Sequence, residues 1–223
     1  VLTGVTLLLL VHLFIVSPLE LHNPGTLKPV GVLFMVLLAA GLVVLARGAL
    51  PLALIGLFTT MLLLAFYFED HGGYDSFALG IRSGAWVLIS SLIIWVVLRA
   101  VYAPGPITYS RIVGAVLLYI TIGICFVSLY VLMAVLVPDA FRGISIKPHA
   151  SLPSDFVYFS FVTLTTVGYG DIVPVDPLVR SLCNLEAVIG QLFPATILAR
   201  LVSDQVSTRG ARQAAHPPTK DPS

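Results

Sequence analysis

The fold class this sequence predicts is all-α and membrane-embedded: six transmembrane helices, with a short re-entrant helix and loop between helices 5 and 6. Three observations predict it. The 223 residues are 58% hydrophobic and only 10% charged, with a mean hydropathy of +1.01. A soluble domain carries about a quarter charged residues, so this chain has too few to cover a water-facing surface, and lipid is the solvent that suits it. Six continuous apolar runs, 1–16, 30–46, 50–68, 84–101, 112–137 and 178–202, are each about long enough to cross ~30 Å of hydrocarbon as a helix. Between the last two, residues 150–174 are too polar and too short to cross.

Backbone in lipid must satisfy its own hydrogen bonds, which leaves helices or closed barrels. None of the runs alternates in polarity, so helices are expected. Residues 1–16 have the look of a signal-peptide core, but no A-x-A-like cleavage site follows and the next run is a full span, so they are read as a first helix with its start trimmed. Pro29 and Pro51 sit where the second and third helices start, a position that tolerates a missing N–H. The fourth run has Arg82 before it, Arg99 at its end and no arginine between. Cys125 and Cys183 fall inside apolar runs and are read as packed free thiols.

Residues 150–174 read differently. Ser151 is a candidate N-cap with Pro153 in the first turn. An apolar stretch over 156–166 follows, then a glycine-rich extended segment. Non-helical backbone at membrane depth is tolerated only where it lies in protein or lines a water-filled path, so this pattern alone predicts a pore or a binding site. With this loop entering from outside, the inner loops carry Arg47, Arg99, Arg111, Arg200, Arg209, Arg212 and Lys220, and the outer loops hold most of the carboxylates. Lys28, Arg82, Arg142, Lys147 and Arg180 also fall outside, so the bias is moderate; both termini are expected in the cytoplasm of a cell-membrane protein. Three units follow: a four-helix membrane unit over 1–103, a pore-like unit over 104–206, and a polar tail over 207–223 expected to be unstructured.

Several function classes drop out. A net charge of +1 without a basic block gives no footprint for nucleic acid. No nucleophile–base pair, zinc-type spacing or metal cluster suggests an enzyme, and no repeated halves suggest a secondary transporter.

The segment Thr165, Thr166, Val167, Gly168, Tyr169, Gly170, Asp171 resembles the signature of potassium channels, and residues 112–202 resemble the pore domain of the tetrameric family: outer helix, pore helix, selectivity filter, inner helix. The chemistry explains the spelling. A potassium ion entering a filter exchanges its water for oxygens of similar number and distance, which rings of backbone carbonyls supply. Pointing successive carbonyls inward requires positive φ, which Gly168 and Gly170 adopt at little cost. The resemblance implies K+ held at Thr166, Val167, Gly168 and Tyr169, with the Thr166 hydroxyl at the inner end. It further implies Val167 and Tyr169 as braces behind the filter and Asp171 at an outer mouth where a carboxylate ring concentrates cations. The C-terminal carbonyls of the pore helix would face the permeating ion. One loop cannot encircle an ion, so a homotetramer in membrane lipid is implied, with K+ as its only cofactor-like partner.

Departures from the family pattern are informative. Tyr158 and Phe159 stand where a Trp pair is common, and Tyr158 is placed to hydrogen-bond Asp171 in support of the filter. Val162 replaces a glutamate found behind the filter in some members. Gly190 falls at the family's inner-helix hinge and Pro194 one turn later; a close-packing glycine and a static kink is an equal alternative. The first four helices match six-helix channels in number only, because no arginine repeat marks a voltage sensor. Too few residues follow Val202 for a cytoplasmic ligand domain, so none is expected in this chain. Glu186 is the one carboxylate inside a run, where ionisable groups are expensive. A hydrogen bond to the pore helix is its first reading and proton sensing its second. Gln191 either reaches the cavity or bonds another helix. Arg200 and Asp204, four apart, form a candidate pair, with contact to lipid headgroups or neighbouring chains as an alternative and a solvated face as the first expectation.

The sequence therefore reads as a potassium-selective channel subunit that is not steeply voltage-gated. A weakly selective cation channel and a non-conducting regulatory or scaffold subunit are the alternatives, each disfavoured by intact Gly168, Tyr169 and Gly170.

Overall fold

The computed structural model describes Val11, residues 76–103, 108–144 and 154–215. The first three apolar runs, apart from Val11, lie outside the described residues, as do Ser151, Pro153 and the side chain of Asp204. The elements are α1 (Ser76–Val101), α2 (Tyr109–Leu136), β1 (Phe141–Arg142), α3 (Ser154–Leu164), β2 (Val173–Pro174) and α4 (Pro177–Ala215). Three stretches, Leu79–Val101, Tyr109–Leu136 and Pro177–Ser203, are long and apolar enough to cross a membrane, whereas Ser154–Leu164 is an apolar helix too short to do so.

Two boundaries differ from the sequence reading. The fourth run was expected to start at residue 84 with Arg82 ahead of it; α1 starts at Ser76, so Arg82 lies within the helix. Phe77, Ala78 and Leu79 extend the apolar stretch, and a long arginine stem is tolerated near a helix end, where its head reaches outward. The tail from Ser207 was expected to be unstructured, yet α4 runs on to Ala215. Ala211, Arg212, Gln213, Ala214 and Ala215 are strong helix formers, and extending an existing helix avoids the cost of a new nucleus.

α2 is the central element and packs against α1, α3 and α4. Leu117, Leu118, Val127, Tyr130 and Val131 on α2 are fully buried and share one core with Ala85, Ile89 and Val97 of α1 and Phe156 and Phe159 of α3. Three hydroxyls in this core spend their donors locally: Ser90 on Trp86 O (2.6 Å), Thr121 on Leu117 O (2.7 Å) and Ser128 on Ile124 O (2.9 Å). Each of the three bonds a carbonyl one turn back, so none is left bare in apolar surroundings. α4 contrasts with α2: Leu178, Leu185, Val188, Leu192, Leu198 and Val202 are exposed along its length.

A two-strand bridge joins the ends of the α2–α3 and α3–α4 connections. Phe141 pairs with Pro174 and Arg142 with Val173, antiparallel. Strands of two residues carry no period-two pattern, so the sequence offered no sign of them. Gly143 (φ 89°) presses on the Asp171 carbonyl so closely that a β-carbon there would overlap it. The start of α4 is capped: Asp176 Oδ1 accepts from the amides of Leu178 (2.8 Å) and Val179 (3.3 Å), with Pro177 in the first helical position.

Candidate functional site

The site begins where α3 stops. The Thr166 amide donates to Thr163 O (2.9 Å) and the Val167 amide to Val162 O (2.9 Å), with Gly168 N also on Val162 O (3.3 Å). This paired closure is the Schellman arrangement, in which the residue after the cap turns left-handed. Thr166 is that residue, at φ 59°. Glycine usually fills such a position, and a β-carbon there costs about 1–2 kcal/mol, so Thr166 is held in a strained conformation that sequence reasoning had assigned to the glycines alone. Thr165 Oγ1 donates to Phe161 O (2.6 Å), and Tyr119 Oη reaches Leu164 O (3.4 Å). The last-turn carbonyls of α3 therefore have partners within the chain, and their partial negative charge is shared with these donors.

Beyond Thr166 the backbone alternates. Gly168 (φ 56°) and Gly170 (φ 80°) are left-handed, while Val167 and Tyr169 between them are not. Alternation of handedness turns successive carbonyls toward one side of the strand. No atom outside the neighbouring residues lies within 4 Å of a β-carbon built at Gly168 or Gly170, so these positions call for glycine because of φ and not because of space.

Residues 165–171 are all exposed in the single chain. The Tyr169 ring, 71% exposed, lies parallel to the Tyr158 ring at 6.2 Å between centroids. The Tyr158 hydroxyl lies close enough to the Asp171 carboxylate for the two to interact. The structure thus brings Tyr158, Tyr169 and Asp171 together, and it leaves Val167 half exposed.

Behind the segment, α4 crosses α3 and α2. Glu186 is fully buried; its Oε2 accepts from Tyr130 Oη (2.6 Å) and its Oε1 lies 2.5 Å from Ser160 Oγ, so it does meet the pore-helix candidate. One turn on, Gly190 sits against the Leu164 carbonyl, too close for any β-carbon. That contact gives Gly190 a packing reason. The helix continues unbroken through Gly190 and Pro194. Gln191 and Pro194 are both exposed.

At the other end of α4, Arg200 Nη1 bonds Val101 O and Nη2 bonds Ala103 O (2.9 Å), while Arg111 Nη1 meets the same Ala103 O (2.9 Å). The Arg200 guanidinium also lies over the Tyr102 ring at 5.3 Å, and Tyr102 Oη is 3.4 Å from Thr196 Oγ1. Guanidinium groups thus cap the C-terminus of α1, where carbonyls attract cations. Sequence reasoning had placed Arg200 near Asp204 or solvent. A partner 97 residues away leaves no periodic signal.

Residues 130–204 match a family model described as "Ion channel". Protein LctB of Bacillus caldotenax is 41% identical over 58 residues, 26% of this chain and 42% of that protein. Two-pore potassium channel 4 of Arabidopsis thaliana is 36% identical over 91 residues, 41% of this chain and 28% of that protein. Protein LctB of Geobacillus stearothermophilus is 43% identical over 54 residues, 24% of this chain and 40% of that protein. The aligned stretch spans less than half the length of each of these relatives. No solved structure matches.

Proposed function

We propose, from a segment that matches an ion-channel family model over residues 130–204 and resembles part of a two-pore potassium channel, that four copies form a potassium-selective channel in the cell membrane. Both termini lie in the cytoplasm, and K+ passes passively through a filter built from Thr166, Val167, Gly168, Tyr169 and Gly170. The observation that carries this reading is the alternating left-handed backbone at Thr166, Gly168 and Gly170, directly after a short apolar helix. Carbonyls turned to one side on one strand form a quarter of a ring, and four such strands around an axis replace the water of a dehydrated cation.

A single chain leaves this segment and one side of α4 uncovered. Fourfold assembly gives both a place: the carbonyls line the axis, and the apolar side chains of α4 meet neighbouring copies or lipid. Asp171 then forms an acidic ring at the mouth that raises the local cation concentration. Val167 and Tyr169 brace the filter against Tyr158 and against adjacent copies. Nothing in α1 resembles a voltage sensor, since Arg82 and Arg99 are its only basic residues.

The test is a bi-ionic reversal potential. The purified chain in planar bilayers, with potassium chloride on one side and sodium chloride on the other, should give a reversal strongly shifted toward the potassium equilibrium value and a current blocked by barium. A reversal near zero with open channels would favour a weakly selective cation channel instead.

A further inference from the structure

Where α2, α3 and α4 meet behind the filter, Glu186 is completely buried within one chain, at 0% exposure. Its partners are hydroxyls: Tyr130 Oη at 2.6 Å from Oε2 and Ser160 Oγ at 2.5 Å from Oε1. Among the described residues, the other titratable groups that interact with it are Tyr119 and Cys183, from α2 and α4. None of these carries positive charge. Ser160 Oγ is also 3.0 Å from the Gly123 carbonyl oxygen.

Ser160 has one proton and cannot give it to both oxygens. If it donates to an ionised Glu186, a full negative charge sits among apolar helices with two neutral donors. Burying an ion without a cation costs several kcal/mol, more than two hydroxyl bonds return. If Glu186 carries the proton, every group closes. Tyr130 donates to Oε2, Oε1–H donates to Ser160, and Ser160 donates to the Gly123 carbonyl. We infer that Glu186 is a neutral carboxylic acid and a positioning residue for the filter, the central link of a hydrogen-bonded chain Tyr130–Glu186–Ser160–Gly123 that ties α4 and α2 to the pore helix.

The register supports this. Glu186 meets Ser160, and four residues further along both helices Gly190 meets Leu164. Two contacts one turn apart fix how far α3 slides along α4, and hence the height at which Thr166 leaves the helix. Only the effect on conduction rests on the channel reading; the protonation state and the register do not.

The test is infrared spectroscopy of the reconstituted full chain at neutral pH. The wild type should show the carbonyl band of a buried protonated carboxyl, and Glu186→Gln should remove it. Ser160→Ala should shift that band to higher frequency, because the acid loses its acceptor. A wild type without the band, or a band that survives in Glu186→Gln, overturns the assignment. In parallel, Glu186→Gln, which keeps shape and neutrality, should retain wild-type reversal potential and melting temperature, whereas Glu186→Leu should lose both; equal damage by the two variants also overturns it. A wild type that shows the band and never conducts would sink the channel reading and leave the protonated carboxyl standing.

Discussion

Gly190 on α4 lies against the carbonyl oxygen of Leu164, the last residue of α3, with no room for a side chain between them. The atoms in the way are backbone, so they cannot rotate aside. Gly190→Ala must push the two helices apart, and overpacking of this kind costs about 1–3 kcal/mol. Because Leu164 lies two residues before Thr166, the first residue of the proposed filter, the displacement is carried to it. A lower melting temperature of the detergent-purified assembly together with reduced potassium selectivity is the expected outcome. A variant that melts and conducts like the wild type would show that the contact has slack.

Gly168→Ala isolates backbone conformation from packing. Within one chain a β-carbon at Gly168 meets nothing, yet φ is 56° there. The left-handed region costs an alanine about 1–2 kcal/mol, enough to turn the peptide and remove a carbonyl from its ring. The chain should therefore fold, assemble and melt nearly as the wild type does while losing selective potassium current. Unchanged potassium currents under bi-ionic conditions would rule out Gly168 as a filter position.

What could be read from the sequence follows from how local each signal is. The spans expected at 84–101, 112–137 and 178–202 correspond to α1, α2 and α4 because long apolar runs need no tertiary context. The short helix and the positive φ of Gly168 and Gly170 were legible from glycine spacing after an apolar stretch. The left-handed Thr166 was not, since threonine seldom marks such a turn and only the closure onto Val162 and Thr163 reveals it. Glu186 stood out as a carboxylate in an apolar run, but its partners Tyr130 and Ser160 lie 56 and 26 residues away and became visible only when three helices were packed. The helical extension to Ala215 was missed because polarity was weighed above helix propensity in that stretch.

The buried hydroxyls around Glu186 should behave as one unit. Tyr130→Phe and Ser160→Ala each leave one carboxyl oxygen without its partner, and an unsatisfied buried polar group costs about 1–3 kcal/mol. Both changes act on the same carboxyl, so the double variant should depart from the sum of the singles by at least ~0.5 kcal/mol. Denaturant or thermal unfolding of the four members of this cycle measures that coupling. Strict additivity would mean that the two hydroxyls contribute independently.

Arg200 offers the last and most function-directed prediction. Its guanidinium spans two carbonyls, Val101 O and Ala103 O, from a position on α4 below Pro194. Charge-assisted hydrogen bonds contribute about 1.5–3 kcal/mol when well formed. Partial exposure here lowers the expected loss in Arg200→Gln to about 1 kcal/mol. Arg200→Lys keeps the charge, but a compact ammonium cannot fork across two acceptors, so it should be nearly as damaging. Neither variant touches the filter; reversal potential should stay at the wild-type value while the fraction of time spent open changes. Single-channel recording separates these quantities. Full rescue by lysine would show that charge at the end of α1 suffices, and an altered reversal potential would show that this inner contact reaches the filter itself.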